Sequence, residues 1–300
     1  MANFLLLAIV GLLAQLVDGS LGMAYGVTSQ SLLLTVGIAP ALASASVHIA
    51  EVGTTAASGA SHWRFGNVDW SKVWPLAIPG AIGAFVGAVV LSAFITAEAA
   101  EPIVAIFLFA LGIFVLARFS FRRHQRPVEV RPVSRSFLAP LGLIAGFLDA
   151  AGGGGWGPIS TPSLLSSGRM EPRKIIGTVD TSEFLVALSA SIGFLLALSF
   201  AEIPWIVVGA LLLGGVIAAP IAAYIVRILP ARILGSAVGG LILVTNMKTF
   251  LEAVGIGGAL AVLIYILIVA VWIAAVVFSI RVNRLEKGGP TAEPSSSRVV

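Results

Sequence analysis

The stretch of sequence that decides the fold of this chain occurs twice. Its first copy, from Asp18 to Leu33, reads DGSLGMAYGVTSQSLL, and its second, from Asp149 to Leu165, reads DAAGGGGWGPISTPSLL. At a constant offset of 131 residues the copies share five positions: Asp18 and Asp149, Gly22 and Gly153, Tyr25 and Trp156, Gly26 and Gly157, Ser29 and Ser160. Each copy lies between two apolar runs, so a glycine-rich break interrupts what would otherwise be a membrane helix. Such a break is typical of a transporter's solute site.

The composition excludes a soluble domain. Of the 300 residues, 58% are hydrophobic and only 11% are charged, whereas a soluble domain carries roughly a quarter of charged residues. The mean hydropathy is +1.03. We therefore predict an all-α polytopic membrane protein with room for about eight or nine crossings of about 20 residues each. The N-terminus lacks the basic region and cleavage site of a signal peptide, so we expect it to be retained.

The charge and the missing residue types narrow the chemistry. The chain has no cysteine and three scattered histidines, so we expect neither a metal site nor a cofactor. The isoelectric point near 9.9 comes from lysines and arginines in short loops between apolar spans. This pattern indicates orientation in a lipid bilayer and no nucleic-acid partner.

The lengths of the apolar runs around the two breaks predict hairpins. Runs 3–17 and 27–37 are together too long for one straight crossing and too short for two, because a crossing needs about 20 residues. A re-entrant hairpin fits these lengths, and a single broken crossing is the alternative. In the second copy the corresponding runs are 137–148 and a half-helix that ends near Ser167.

The remaining apolar runs predict full crossings. They cover 40–61, 73–96, 102–119, 174–199, 204–227, 232–247 and, as an extra helix, 254–280. We divide the chain into a first repeat (1–119), a basic cytoplasmic linker (120–136), a second repeat (137–250), an additional transmembrane helix (251–282) and a disordered cytoplasmic tail (283–300).

The placement of charge favours the re-entrant hairpin over the broken crossing. With both motif segments re-entrant, the basic loops share one side of the membrane, and the opposite side carries the acidic residues Glu98, Glu101, Glu202 and Glu252. The positive-inside rule then places the N-terminus outside and the C-terminus in the cytoplasm. Each half contributes three full crossings, so the halves form an inverted-topology repeat that brings the paired motifs together near the bilayer midplane.

The two breaks are predicted to bind an anion without formal positive charge. Glycines let backbone N–H groups face a cavity, and the following half-helix directs its positive N-terminal end there and adds hydroxyl donors. Tyr25 and Trp156 are interpreted as walls or gates of this cavity. Gly80, Gly83 and Gly87, in contrast, are interpreted as sites of close helix packing. The candidate substrate-binding residues are Gly22, Tyr25, Gly26, Thr28, Ser29, Gly153, Gly154, Gly155, Trp156, Gly157, Ser160 and Thr161.

Six ionisable residues accompany the breaks within apolar sequence: Asp18, His48, Glu51, Asp149, Asp180 and Glu183. The two aspartates of the motifs end the preceding helices, and the other four form two pairs with i,i+3 spacing, which places each pair on one helix face. With one residue inserted in the second copy, His48 aligns with Asp180 and Glu51 aligns with Glu183. Ionisable groups at this depth are costly and usually face a functional cavity. Because protonation would remove the repulsion between a carboxylate and an anion, we interpret all six as candidates for proton coupling. The alternative is that they cap helix ends or bond to one another.

The duplicated break resembles that of the TauE/SafE sulfite exporter family, also called the toluene sulfonate uptake permease family. The stretch GGGGWGPISTPSL, from Gly152 to Leu164, is the most specific part of a resemblance that extends from about residue 4 to 280. It implies an inner-membrane carrier of sulfite, sulfonates or related sulfur-containing anions. The implied site comprises Gly152, Gly153, Gly154, Gly155, Gly157, Pro158, Pro162, Gly22 and Gly26. The first copy departs from the pattern, with Val27 in place of Pro158 and Ser31 in place of Pro162.

The sequence thus predicts a secondary transporter, an exporter of sulfite or another small sulfur-containing anion, that is driven by protons and is not an enzyme. The chain has no nucleotide-binding motif, so we expect no built-in ATPase. One alternative is an intramembrane enzyme acting on a lipid phosphate, which would need a basic clamp for its substrate. The other is a passive anion channel.

Overall fold

The computed structural model describes residues 2–121, 133–167, 169–225 and 231–288, and the regular structure within these ranges is entirely helical. The helices of this described part are α1 (Ala2–Leu21), α2 (Tyr25–Thr35), α3 (Pro40–Arg64), α4 (Trp70–Ala93), α5 (Ala97–Phe121), α6 (Arg135–Gly152), α7 (Trp156–Ser167), α8 (Pro172–Ala197), α9 (Trp205–Ile225), α10 (Ala231–Ala253) and α11 (Gly258–Gly288). Six of them, α1, α4, α5, α8, α9 and α11, are long and apolar enough to cross a membrane. The prediction of an all-α polytopic membrane protein is confirmed.

Helices α1 and α6 extend one turn beyond their predicted ends. The apolar runs ended at residues 17 and 148, but the helices continue to Leu21 and Gly152. In the first copy the N–H of Gly22 donates to the carbonyl of Asp18 at 2.6 Å. The prediction that Asp18 and Asp149 end their helices was therefore wrong, because the last helical turn continues past both aspartates.

The C-terminal boundaries also differ from the prediction. Helix α10 ends at Ala253 and α11 begins at Gly258, so the extra helix starts later than residue 251. Helix α11 continues to Gly288, so residues 283–288 are helical and do not belong to a tail. Most of the predicted linker and tail, residues 122–132 and 289–300, lies outside the described residues.

Both breaks require backbone angles that ordinary residues avoid. The φ angle is 66° at Gly22 and 102° at Ala24 in the first break, and 78° at Gly153 and 141° at Gly154 in the second. Glycine reaches such angles without steric cost, whereas a residue with a Cβ atom loses roughly 1–2 kcal/mol. The chain reverses direction between the helices of each pair, and this turn requires glycine at most of the positions with positive φ.

At each break the chain folds back on itself. Leu7 and Val10, near the start of α1, share one apolar cluster with Leu33 near the end of α2 and with Ile38 just after it. In the second copy Val133 and Phe137, at the start of α6, line a surface cavity together with residues 163 and 167 at the end of α7. Each pair of helices therefore forms a hairpin whose two ends lie on the same side of the molecule.

The contacts between helices follow the duplication. Helix α1 packs along α9, and α6 packs in the same way along α4. Glycines allow this close approach: a Cβ atom at Gly11 would lie 2.4 Å from the carbonyl oxygen of Leu211, and one at Gly142 would lie 2.2 Å from that of Leu76. Each hairpin thus packs against a helix of the other half of the chain.

Equivalent helices of the two halves run antiparallel where they touch. In the pair α3 and α8, His48 contacts Phe194, whereas Gly59, further along α3, approaches Thr181 earlier in α8. Helices α5 and α10 are also antiparallel: Gly112 approaches Leu243, whereas Ser120, further along α5, contacts Ser236 earlier in α10. This orientation is the one expected of the predicted inverted repeat, which stays a prediction.

Candidate functional site

The tips of the two hairpins meet inside the molecule. A Cβ atom at Gly26 would lie 3.2 Å from the Cα of Gly154, and one at Gly157 would lie 2.5 Å from the Cα of Met23. The hydroxyl of Thr161 donates to the carbonyl of Gly22 across the two tips. The residues predicted to bind substrate are therefore brought together, as the repeat predicted, and their role in binding stays a prediction.

In the second tip, Asp149 binds the amides of the break. Its Oδ1 atom accepts from the N–H of Gly155 at 2.7 Å and from that of Trp156 at 3.0 Å. Its backbone carbonyl accepts from Gly153 and Gly154 at 2.9 and 3.0 Å. This aspartate caps the N-terminus of α7 across the break, as the alternative interpretation of the motif aspartates proposed. The N–H groups of residues 153–156 are consequently occupied by Asp149.

The remaining donors are found where α2 and α7 begin. Within the described ranges, no hydrogen bond engages the N–H groups of Gly26, Val27 or Gly157. The hydroxyls of Thr28, Ser29 and Ser160 are buried and have no hydrogen-bond partner among the described residues. Residues 18–29 and 149–161 contain no lysine or arginine. The tips therefore offer dipolar donors in the absence of any basic side chain of their own.

Tyr25 and Trp156 attach the tips to the surrounding helices, through hydrogen bonds to helices that are not equivalent in the repeat. The Tyr25 hydroxyl donates to the carbonyl of Leu211 in α9 at 3.2 Å. The Trp156 indole N–H donates to the carbonyl of Val179 in α8 at 3.0 Å, and its ring lies where a Cβ atom at Gly80 of α4 would stand. Both side chains are almost completely buried. Their role as walls or gates of a cavity stays a prediction.

The first ionisable cluster consists of His48, Glu51 and Asp149. The His48 Nε2 atom lies 3.1 Å from Asp149 Oδ2 and 4.0 Å from Glu51 Oε2. The other ring nitrogen, Nδ1, donates to the carbonyl of Ser44 at 2.8 Å. Because both nitrogens face oxygen acceptors, the ring is suited to carry a positive charge between the two carboxyl groups.

The second ionisable cluster consists of Asp18, Asp180 and Glu183. One carboxylate oxygen from each of them lies within 4.8 Å of the others, and all three side chains are buried. These residues occupy the positions equivalent to Asp149, His48 and Glu51, so the two clusters are related by the repeat. The sequence predicted no metal site because it lacks a cluster of zinc-type ligands. The oxygen atoms of this cluster are a candidate of another kind, for a hard cation.

The sequence analysis missed His62, which it assigned to a polar loop. The structure places it in the last turn of α3, fully buried, with Nε2 at 3.9 Å from Asp180 Oδ2. A signal was available, because polar residues recur along α3 at spacings of three or four: Ser44, His48, Glu51, Thr55, Ser58 and His62. This stripe is typical of one helix face and predicts that the helix continues to His62.

Comparison with known proteins gives a consistent result. Residues 7–249 match the family model described as Sulfite exporter TauE/SafE. The chain is 52% identical over 280 residues to a Bacillus subtilis (strain 168) protein named Probable membrane transporter protein YtnM, and the alignment covers 93% of each chain. No solved structure matches.

Proposed function

We propose that this chain, which belongs to the TauE/SafE sulfite exporter family, is a secondary transporter that exports sulfite or a related small sulfur-containing anion in exchange for protons. Membership of the family and the identity to a probable membrane transporter make it a multi-pass membrane transporter. The anion, the direction and the coupling ion are the parts that we propose.

The meeting of the two hairpin tips carries the proposal. It concentrates the free N–H groups of Gly26, Val27 and Gly157 and the free hydroxyls of Ser29 and Ser160 in one buried region. N-terminal helix ends are positive, and buried hydroxyls without partners are rare, so a bound oxyanion would satisfy both features. Sulfite has three oxygen acceptors on a small pyramidal centre and suits donors that converge from two helices.

Transport requires the tips to separate. In the described arrangement Gly154 and Gly157 are in van der Waals contact with Val27 and Met23, so an anion between the tips needs them to move apart. We propose that the halves of the inverted repeat rock against each other, which would open the tips alternately to the two sides of the membrane.

Proton coupling is proposed for the first ionisable cluster. A Cβ atom at Gly26 would lie 3.4 Å from Glu51 Oε1 and 3.8 Å from Asp149 Oδ1, so this cluster adjoins the free amides of α2. An ionised Glu51 would repel an anion bound there, and a protonated Glu51 would not. Protonation of Glu51 would therefore favour binding of the anion beside it, which couples the two binding events.

The orientation is proposed from the charged ends of the molecule. Lys174 Nζ donates to the carbonyl of Val68 at 3.1 Å, and Arg169 lines one surface cavity with residues 68–71. The loops after α3 and α7 thus share one basic end, which would face the cytoplasm of a bacterial-type inner membrane. The C-terminus would then be cytoplasmic and the N-terminus would lie outside.

A flux measurement in proteoliposomes tests the proposal. We expect saturable sulfite transport that responds to an imposed pH gradient. The apparent affinity should be at least about tenfold weaker in Ser29→Ala and in Ser160→Ala, because a hydrogen bond to an anion contributes about 1.5–3 kcal/mol. Ser163→Ala is the matched control, since its hydroxyl already donates to the carbonyl of Ile159 at 2.6 Å. Glu51→Gln should transport with a reduced response to pH.

Three results would contradict the proposal. Unsaturable currents indifferent to pH would identify a channel, and hydrolysis of a lipid pyrophosphate by purified protein would identify an enzyme. A thermal-shift screen in which sulfite, thiosulfate and sulfoacetate stabilise the protein no more than chloride does would exclude the anion class.

A further inference from the structure

The two ionisable clusters occupy equivalent places in the repeat but differ in one functional group. Asp149 corresponds to Asp18 and Glu51 corresponds to Glu183, so each cluster contains these two carboxyl groups. The third member is an imidazole in the first cluster, His48, and a carboxyl group in the second, Asp180. One basic group has been replaced by an acidic one at the same position.

This replacement removes the positive charge from a buried site. Asp18, Asp180 and Glu183 are exposed by only 2%, 1% and 5%. Carboxylates held this close and away from water repel one another and need a cation, protons or both. The first cluster meets this need with the imidazole of His48, which lies 3.1 Å from Asp149.

His62 does not replace the missing charge. The Asn67 Nδ2 atom donates to Nδ1 of His62 at 3.1 Å, and a ring nitrogen that accepts a hydrogen bond belongs to a neutral imidazole. The other nitrogen, Nε2, lies 3.9 Å from Asp180 and has no hydrogen-bond partner among the described residues. With this tautomer His62 supplies no positive charge, and within that part of the chain no basic side chain makes a hydrogen bond to the second cluster.

Unpartnered oxygen atoms of several side chains face this cluster. Among the described residues, Asp18 Oδ2 and both carboxylate oxygens of Asp180 lack a hydrogen-bond partner. So does the hydroxyl of Ser58, which is fully buried and lies beside Asp180. Gln15 lies one turn before Asp18 on α1, and its buried amide is also unpartnered. A Cβ atom at Gly19 would lie 3.5 Å from the amide nitrogen of Gln15 and 3.5 Å from the hydroxyl of Ser58, so the amide lies beside that hydroxyl. Such groups are rare in folded proteins and indicate a bound species.

The set of atoms defines the chemistry of that species. Carboxylate, hydroxyl and amide oxygens are ligands of hard cations and bind soft metals poorly. The C-terminal end of α1, whose helix dipole is negative, lies beside the cluster and favours a cation as well. With a protonated imidazole the first cluster has a net charge of −1, whereas the three carboxylates of the second cluster together carry −3. One monovalent cation together with one proton on the carboxyl groups would therefore restore the same balance.

We infer that Asp18, Asp180 and Glu183, with Ser58 and Gln15, form a binding site for Na⁺, which occupies in the second cluster the role that the His48 imidazole has in the first. This inference goes beyond the proposed function, which assigns protons to the first cluster. Binding of the cation does not depend on which anion is carried, and its coupling to transport rests on the proposed function.

A titration of the purified full-length chain with NaCl, at ionic strength held constant with choline chloride, tests the site. We expect a saturable increase in Tm of several degrees with Na⁺, because a ligand that binds only the folded state stabilises it by mass action. Choline, which is too large for the cluster, should leave Tm unchanged, and K⁺ should act only at higher concentration. The measurement uses no transported anion, so it succeeds or fails independently of the sulfite experiment.

Two variants make the comparison between the clusters decisive. Asp180→His introduces an imidazole in place of the carboxyl group, and its Tm should no longer respond to Na⁺. Glu183→Gln removes one ligand and should shift the Na⁺ titration at least tenfold to higher concentration, which provides a second test if the histidine variant does not fold.

Glu202→Gln, an exposed loop variant, is the matched control and should titrate like the unaltered chain. Absence of a Na⁺ effect in the unaltered chain, or an undiminished effect in both cluster variants, would overturn the inference.

Discussion

The two hairpin tips occupy equivalent positions, yet their aspartates bind different groups. Asp149 accepts two amides through Oδ1 and contacts His48 through Oδ2. Asp18 accepts one amide, from Tyr25, at 3.3 Å, and its Oδ2 atom has no hydrogen-bond partner among the described residues. The second tip is therefore closed by its own aspartate, whereas the first keeps polar atoms available. Equivalent residues of a repeat need not share a role.

The largest expected difference concerns these two aspartates. Asp149→Ala would remove the oxygen that accepts from two amides and leave His48 without its ion pair. The loss of one partner of a buried pair costs about 3–5 kcal/mol. Asp18→Ala would remove one long hydrogen bond and also relieve the crowding of three carboxyl groups, so we expect a loss of about 1 kcal/mol or less. Thermal melts of the two variants in the same detergent measure the difference. Equal decreases in Tm would show that the tips are equivalent in stability.

The second prediction concerns the packing of one tip against the other. Gly154→Ala would place a Cβ atom 2.3 Å from the N atom of Val27, at a residue whose φ is 141°. Overpacking and backbone strain together should cost about 2–4 kcal/mol. Because the clash acts between the tips, transport of the proposed anion should also fall strongly. Gly255 also has a positive φ, but an added Cβ atom there would have no atom within 4 Å. Gly255→Ala therefore measures the cost of backbone strain without a clash.

Much of this arrangement follows from the spacing of residues in the sequence. The lengths of the runs around Asp18 predicted a hairpin, and the duplication predicted that the two glycine-rich breaks would meet. The repeat also paired His48 with Asp180 before either was placed in space. These features depend on local apolar length and on duplication, which a sequence shows directly.

Other features depend on geometry that the sequence does not show. The capture of the Gly155 and Trp156 amides by Asp149 requires the turn that the φ angles of Gly153 and Gly154 create. Donors that seemed open in the sequence are occupied for this reason. His62 was missed because its neighbours are polar, although in the folded chain α8 covers it and α3 continues past it.

The smallest expected effect concerns backbone strain in the first tip. Ala24 has a φ of 102°, where a Cβ atom is unfavourable, and the aligned position of the second copy is Gly155. Ala24→Gly should therefore stabilise the protein by about 1 kcal/mol, less the entropy that glycine adds to the unfolded chain. A thermal melt measures the gain, and Ala14→Gly, within the regular helix α1, should instead destabilise the protein by about 1 kcal/mol. If both substitutions lower Tm, the prediction is wrong. The packing of the Ala24 side chain then compensates for its backbone strain.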